Sequence, residues 1–121
     1  MANVPLPGKP MKGSESGRPI MAAMNIFSRR WVLRIIWELR DGACGFRELQ
    51  ARCEKMSPDT LSTRLNELKA AGIVGNDAQN QWQLSELGYA LKPVLTELNC
   101  WSKLWDLTLN TSQITESEKI R

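Results

Sequence analysis

Apolar positions in this chain fall into blocks with helical spacing, and one block is delimited at both ends. In SPDTLSTRLNELKAAGIV, residues 57–74, Leu61, Leu65 and Leu68 recur at three- and four-residue steps and define one inward face. Thr60, Thr63, Arg64 and Glu67 fall off that face. Ser57 is a favoured N-cap, and Pro58 suits the first helical position because its missing N–H would have no partner there. Asp59 complements the positive end of the helix dipole. Gly72 can take the left-handed conformation that ends a helix, and Ile73 and Val74 then open a strand. The pattern predicts a short helix with a polar outer face.

The flanking blocks place this helix in a motif. FRELQARCEKM, residues 46–56, puts Phe46, Leu49 and Cys53 on one helical face before Lys55 and Met56 lead into the Ser57 cap. Two short helices joined by a tight turn form a helix-turn-helix. The polar stretch GNDAQNQ at 75–81 separates Ile73 and Val74 from Trp82, Gln83 and Leu84, which predicts a β-hairpin wing. Upstream, WVLRIIWEL at 31–39 reads as a core helix with Ser28 as its cap. It is too short to span a bilayer and is interrupted by Arg34 and Glu38. Downstream, Ser85 caps a helix on which Leu87, Leu91, Val94, Leu95, Leu98, Trp101 and Trp105 recur, with Pro93 marking a bend or a restart. Residues 1–17 and 109–121 lack helical periodicity and read as flexible arms around a domain at 18–108. The fold class is mainly α with a small β-hairpin, α+β in the winged helix-turn-helix arrangement.

Composition narrows the chemistry. A chain of 121 residues, 42% of them apolar, suits one domain with one core. There is no histidine, which removes the usual general base, the usual triads and most zinc sites with mixed ligands. Cys44, Cys53 and Cys100 lie far apart without a CxxC, and each is expected to be a buried or half-buried apolar thiol in a reducing cytoplasm. No catalytic residue, metal site or cofactor is expected. The first 17 residues contain no apolar core of a signal peptide, so a cytoplasmic protein is expected, with no membrane partner.

Net charge is +3, but its distribution says more than its total. Residues 28–72 carry nine basic and six acidic side chains, whereas residues 76–108 carry two basic and four acidic ones. A basic helix-turn-helix half suits docking on a polyanion, where phosphate neutralisation supplies much of the affinity. Arg64 is expected on the exposed side of the recognition helix, within reach of a guanine edge or a phosphate. Its structural alternative is an intrahelical pair with Thr60 or Glu67. Ser57, Asp59, Thr60 and Thr63 belong to the same surface. Arg29 and Arg30 after Ser28, and Arg47 at the start of the first motif helix, are candidates for the backbone. Trp101 and Trp105, one turn apart, either close the monomer's own core or are buried by a partner.

From Arg18 to Trp105 the chain resembles the HxlR family of winged helix-turn-helix regulators. The resemblance is carried by RPIMAAMNIFSRRWVLRIIWEL, DGACGFRELQ, MSPDTLSTRLNELKAAGIV and LSELGYALKPVLTELNCW, in the family's order. It implies a homodimeric transcription factor that binds double-stranded DNA at a pseudo-palindromic operator. The two-fold interface would be built from the first helix, Ile20 to Phe27 with Met21 and Met24, and the C-terminal helix with Leu98, Trp101 and Trp105. The chain departs from the family at Asp59, which stands where a basic residue is frequent, in the wing, which carries Asp77 but no Lys or Arg, and at a sensing position. Redox-responsive members place a cysteine just before the proline that opens the first helix, where this chain has Arg18. Two alternatives stay open: a protein-interaction module with weak DNA binding, and a regulator gated by a small-molecule effector in a cleft lined by Met21, Met24, Trp101 and Trp105.

Overall fold

The computed structural model describes residues 4–9, 17–54 and 56–120, with side chains to residue 111. Lys55, most of the N-terminal arm at 1–17 and the side chains of the tail beyond 111 lie outside the described residues. Of the arm, residues 4–9 and 17 are described; a turn at residues 7 and 8 is closed by the Lys9 N–H donating to the Leu6 carbonyl at 3.3 Å, and the Gly8 N–H donates to the Gly17 carbonyl at 2.9 Å. The chain forms two compact units, one through Ala90 and one from Leu91.

The first unit contains α1 (Pro19–Phe27), α2 (Val32–Glu38), α3 (Phe46–Arg52), α4 (Pro58–Ala70), β1 (Val74–Asn76), β2 (Trp82–Leu84) and α5 (Glu86–Tyr89). This is the mainly helical fold with one hairpin that the periodicity predicts. Its core is the set of stripes read from the sequence. Val32, Ile35, Ile36 and Leu39, Leu49 and the Leu61, Leu65 and Leu68 stripe are all fully buried. Large-to-small changes at such sites cost about 2–5 kcal/mol.

Local chemistry sets the element ends. Ser57 caps α4 by accepting from the Thr60 N–H at 3.1 Å, with Pro58 at the first helical position. At the other end the Ile73 N–H reaches the Leu68 carbonyl and the Gly72 N–H reaches the Lys69 carbonyl, at 2.9 and 3.0 Å. That is a Schellman closure, and it needs the positive φ of 80° that Gly72 adopts. It turns the chain straight into β1. β1 pairs antiparallel with β2, in register Val74 to Leu84 and Asn76 to Trp82. Cys44 adds an antiparallel bridge on the other edge of β2, exchanging both backbone bonds with Trp82 at 2.9 Å.

Several boundaries differ from the sequence reading. Ser28 does not cap α2: it ends α1, and its hydroxyl donates to the Asn25 carbonyl at 2.7 Å. Residues 29–31 make a further turn, and α2 begins after Trp31, which sits at φ 77°. The first motif helix ends at Arg52 with Cys53 as its cap, and Glu54, left-handed at φ 59°, starts the turn toward Ser57. Of the bend or restart expected at Pro93, the structure has the restart, and the stretch after Ser85 is two helices. Ser85 caps the short α5 by accepting from Gly88 N–H at 3.0 Å, and a separate helix restarts at Lys92 with Pro93 in its first turn.

The second unit is that helix, α6 (Lys92–Ile120). It continues across residues 109–120, which lack apolar periodicity and read as a flexible arm. Helical hydrogen bonding is local and does not require an apolar face, so periodicity undercounts it. Along α6 Val94, Leu98, Trp101, Leu104 and Trp105 are exposed, and the Trp101 and Trp105 rings lie 5.4 Å apart at 30°. No helix among the described residues is long and apolar enough to cross a membrane.

Candidate nucleic-acid interface

The leucine stripe fixes how α4 is presented. With Leu61, Leu65 and Leu68 fully buried, Ser57, Asp59, Ser62, Thr63 and Asn66 are left at the surface. Thr60 is half-buried. The Ser57 hydroxyl is engaged within the cap, accepting from the Thr60 N–H and donating to Thr60 Oγ1 at 2.8 Å. It therefore orders the first turn as well as facing outward.

Arg64 is not on the open side of the helix. Its side chain is half-buried: Nη1 donates to both Glu67 oxygens at 2.9 and 3.0 Å, and Nε donates to the Arg30 carbonyl at 2.8 Å. Glu67, read from the sequence as pointing away from the core face, is buried at 8% exposure. Arg29 also reaches it, Nη1 to Oε2 at 3.1 Å. The two arginines singled out from distant parts of the sequence thus converge on one carboxylate. Spacing within α4 suggested the Arg64 to Glu67 pair; the Arg29 partner, which helps make burial of that carboxylate tolerable, is a tertiary feature.

The remaining candidates are more open. Arg30 is exposed, with its guanidinium 5.4 Å from the centre of the Trp31 ring, and Arg47 is exposed on the first turn of α3. Phe27, Arg29, Arg30, Trp31, Leu33 and Arg34 line an open depression of about 380 Å³. Arg34 and Arg52 hold the first motif helix against α2. Arg34 pairs with Glu38 at 2.8 Å and donates to the Arg52 carbonyl, while Arg52 pairs with Glu48 at 2.7 Å and donates to the Glu38 carbonyl.

Two features of the wing were not legible in its composition. Asp77, a charge departure in sequence, organises the loop: Oδ1 accepts from the Gln79 and Gln81 N–H groups at 2.9 Å, and Asn80 turns left-handed at φ 59°. Lys69, from the last turn of α4, reaches the wing. Its ammonium donates to Asn76 Oδ1 at 3.0 Å and lies 5.8 Å from the centre of the Trp82 ring. A wing without its own cation thus has one beside it.

Of the residues expected at a dimer interface, Met24 on α1 is exposed and Met21 half-buried, and on α6 Leu98, Trp101 and Trp105 are exposed. Cys44 and Cys53 are buried as expected, but Cys100 is exposed on α6.

Known proteins share this arrangement. Residues 26–109 match the family model of the HxlR-like helix-turn-helix. The chain is 34% identical over 101 residues to the HTH-type transcriptional regulator YvaP of Bacillus subtilis, covering 78% of this chain and 94% of that protein. It is also similar to the crystal structure of quinone-bound YodB from B. subtilis, at a TM-score of 0.65 and 30% identity over 70% of this chain and 94% of that one. A MarR-family regulator from Enterococcus faecalis has the same fold, at a TM-score of 0.66 and 23% identity over 81% of this chain and 94% of that one. The chain belongs to the HxlR-like helix-turn-helix family and is a winged-helix transcriptional regulator.

Proposed function

We propose that the chain acts as a homodimer in the cytoplasm, without catalysis, and places α4 in the major groove of a pseudo-palindromic operator. The observation that carries this reading is the presentation of α4. Its leucines are fully buried, while Ser57 and Asp59 at its capped start and Thr63 one turn further on are exposed. Arg30 and Arg47, with Lys69 beside the wing, supply cations for phosphates, Arg29 and Arg64 supply guanidiniums for a base edge or a phosphate, and Ser57, Thr60 and Thr63 supply short-range hydroxyls. The exposed apolar residues of α1 and α6 favour a partner copy, because a soluble monomer rarely leaves such a surface uncovered. The deciding experiment recovers native genomic fragments on the chain and titrates them at several salt concentrations. A log–log salt slope equivalent to several phosphates, with half-sites about 34–36 Å apart, supports the reading. Binding that ignores salt and sequence would return the chain to the protein-interaction module.

A second reading rests on one finding: the related YodB has been solved with quinone bound. A small-molecule effector of this kind would raise the melting temperature of the chain on addition of a quinone. An unchanged melting curve removes quinones as effectors.

A further inference from the structure

Among the described residues Glu67 is the charged side chain that lies buried, and it joins two parts of the chain that the sequence separates widely. Arg64 comes from α4 itself and Arg29 from the turn between α1 and α2; both guanidiniums meet the same carboxylate, at 2.9–3.1 Å. An exposed intrahelical pair of this spacing would contribute little. Burial and the second arginine change that, because charge-assisted bonds in a partly dry site are stronger and more directional. The cluster carries two positive charges and one negative, so it keeps a net positive charge at the flank of α4. Its geometry is also fixed. With Arg64 Nε held by the Arg30 carbonyl and Nη1 held by Glu67, the plane of the guanidinium is set while the side chain stays 24% exposed.

We propose, resting on the DNA-binding reading above, that Glu67 is a positioning residue for recognition. By clamping Arg64 and Arg29 it sets the orientation in which two guanidiniums meet the duplex, without touching DNA itself. A preorganised arginine discriminates between bases; a released one, swinging on a flexible stem, finds the nearest phosphate whatever the sequence.

The test uses Glu67→Gln, which keeps the size and one acceptor oxygen but removes the charge. Affinities are measured for the full chain on a duplex selected from genomic fragments and on its scrambled counterpart, each at several salt concentrations. The ratio of selected to scrambled affinity is expected to fall roughly fivefold or more, and the salt slope to steepen by about 0.9 for each guanidinium that moves to a phosphate. A residue that only stabilised the fold would lower the melting temperature and leave ratio and slope alone, so a folded variant with the parent's ratio and slope overturns the proposal. Should Glu67→Gln not fold, Glu67→Asp decides, because it keeps the charge while drawing the carboxylate back from both guanidiniums. A reduced ratio supports the clamp, and uniformly weaker binding on both duplexes overturns it. If the parent chain shows no salt-dependent duplex binding, the DNA-binding reading fails first and the proposal falls with it.

Discussion

At the scale of single residues the thiols divide by environment. Burial pushes the Cys44 and Cys53 thiols above their ordinary value of 9.0, with nearby carboxylates adding to the effect and Arg52 and Arg34 opposing it. A thiol whose folded value is raised contributes stability fully below its unfolded value, and that contribution is lost as pH rises through the folded one. The melting temperature is therefore expected to drop above about pH 9, and replacing Cys44 and Cys53 with alanine should flatten the drop. Cys100 is exposed, and two positions from Leu98 it lies on the other side of α6 from Leu98, Trp101 and Trp105. A thiol reagent should titrate Cys100 at once, and Cys44 and Cys53 only on unfolding. Fast labelling of all three in the native protein would contradict the burial. Gly88 is a second residue-scale constraint. A Cβ there would meet the Ile73 carbonyl oxygen and press on the Leu84 side chain, since α5 packs on the strand through Gly88. Gly88→Ala is expected to destabilise the domain by about 1–3 kcal/mol in denaturant melts. An unchanged midpoint would show that α5 can shift away.

At the scale of elements α4 sets two effects against each other. Asp59, exposed in its first turn, complements the helix dipole but would repel a phosphate backbone. Asp59→Lys is expected to reduce stability by about 0.5 kcal/mol while tightening DNA binding, with a salt slope steeper by about 0.9 for one new phosphate. Fluorescence anisotropy over a salt series reads the second effect and thermal melting the first. If affinity is unmoved while stability drops, the first turn of α4 does not face DNA. The hairpin shows why residue type alone misleads. Asp77 is tied to two loop amides and the wing borrows Lys69 from α4, so a loop composition of one carboxylate and no cation hides both its order and the positive charge beside it.

At the scale of the whole molecule the issue is the number of chains. Trp101 and Trp105 are 56% and 55% exposed, with Leu98 and Val94 also exposed on the same helix, and Ile20 and Met24 are exposed on α1. Light scattering should therefore report twice the chain mass. Replacing Trp101 and Trp105 together with glutamine should yield monomers or insoluble protein. A dimer of unchanged mass would move the interface away from α6.

Most of the elements were readable because their causes are local. The Ser57 cap, Pro58, the Leu61, Leu65 and Leu68 stripe and the Gly72 stop all act within a few residues, and each stands in the structure as the pattern predicts. The core followed for the same reason, since apolar stripes have one way to be buried together. Errors arose where a local signal met a non-local partner. Ser28 has the chemistry of a cap, yet the turn at 29–31 carries Trp31 to a left-handed backbone and starts α2 later. Arg64 and Glu67 sit off the leucine face, but the Arg30 carbonyl and the Arg29 guanidinium draw them inward. Sequence by itself determined the elements of the fold and the bounds of the motif helix, because capping and periodicity are short-range, and the family through the resemblance its motif blocks carry. Only the tertiary structure decided which arginines are held and in what orientation. A buried carboxylate takes its partners from whatever the fold brings within about 3 Å, and no spacing along the chain encodes that distance.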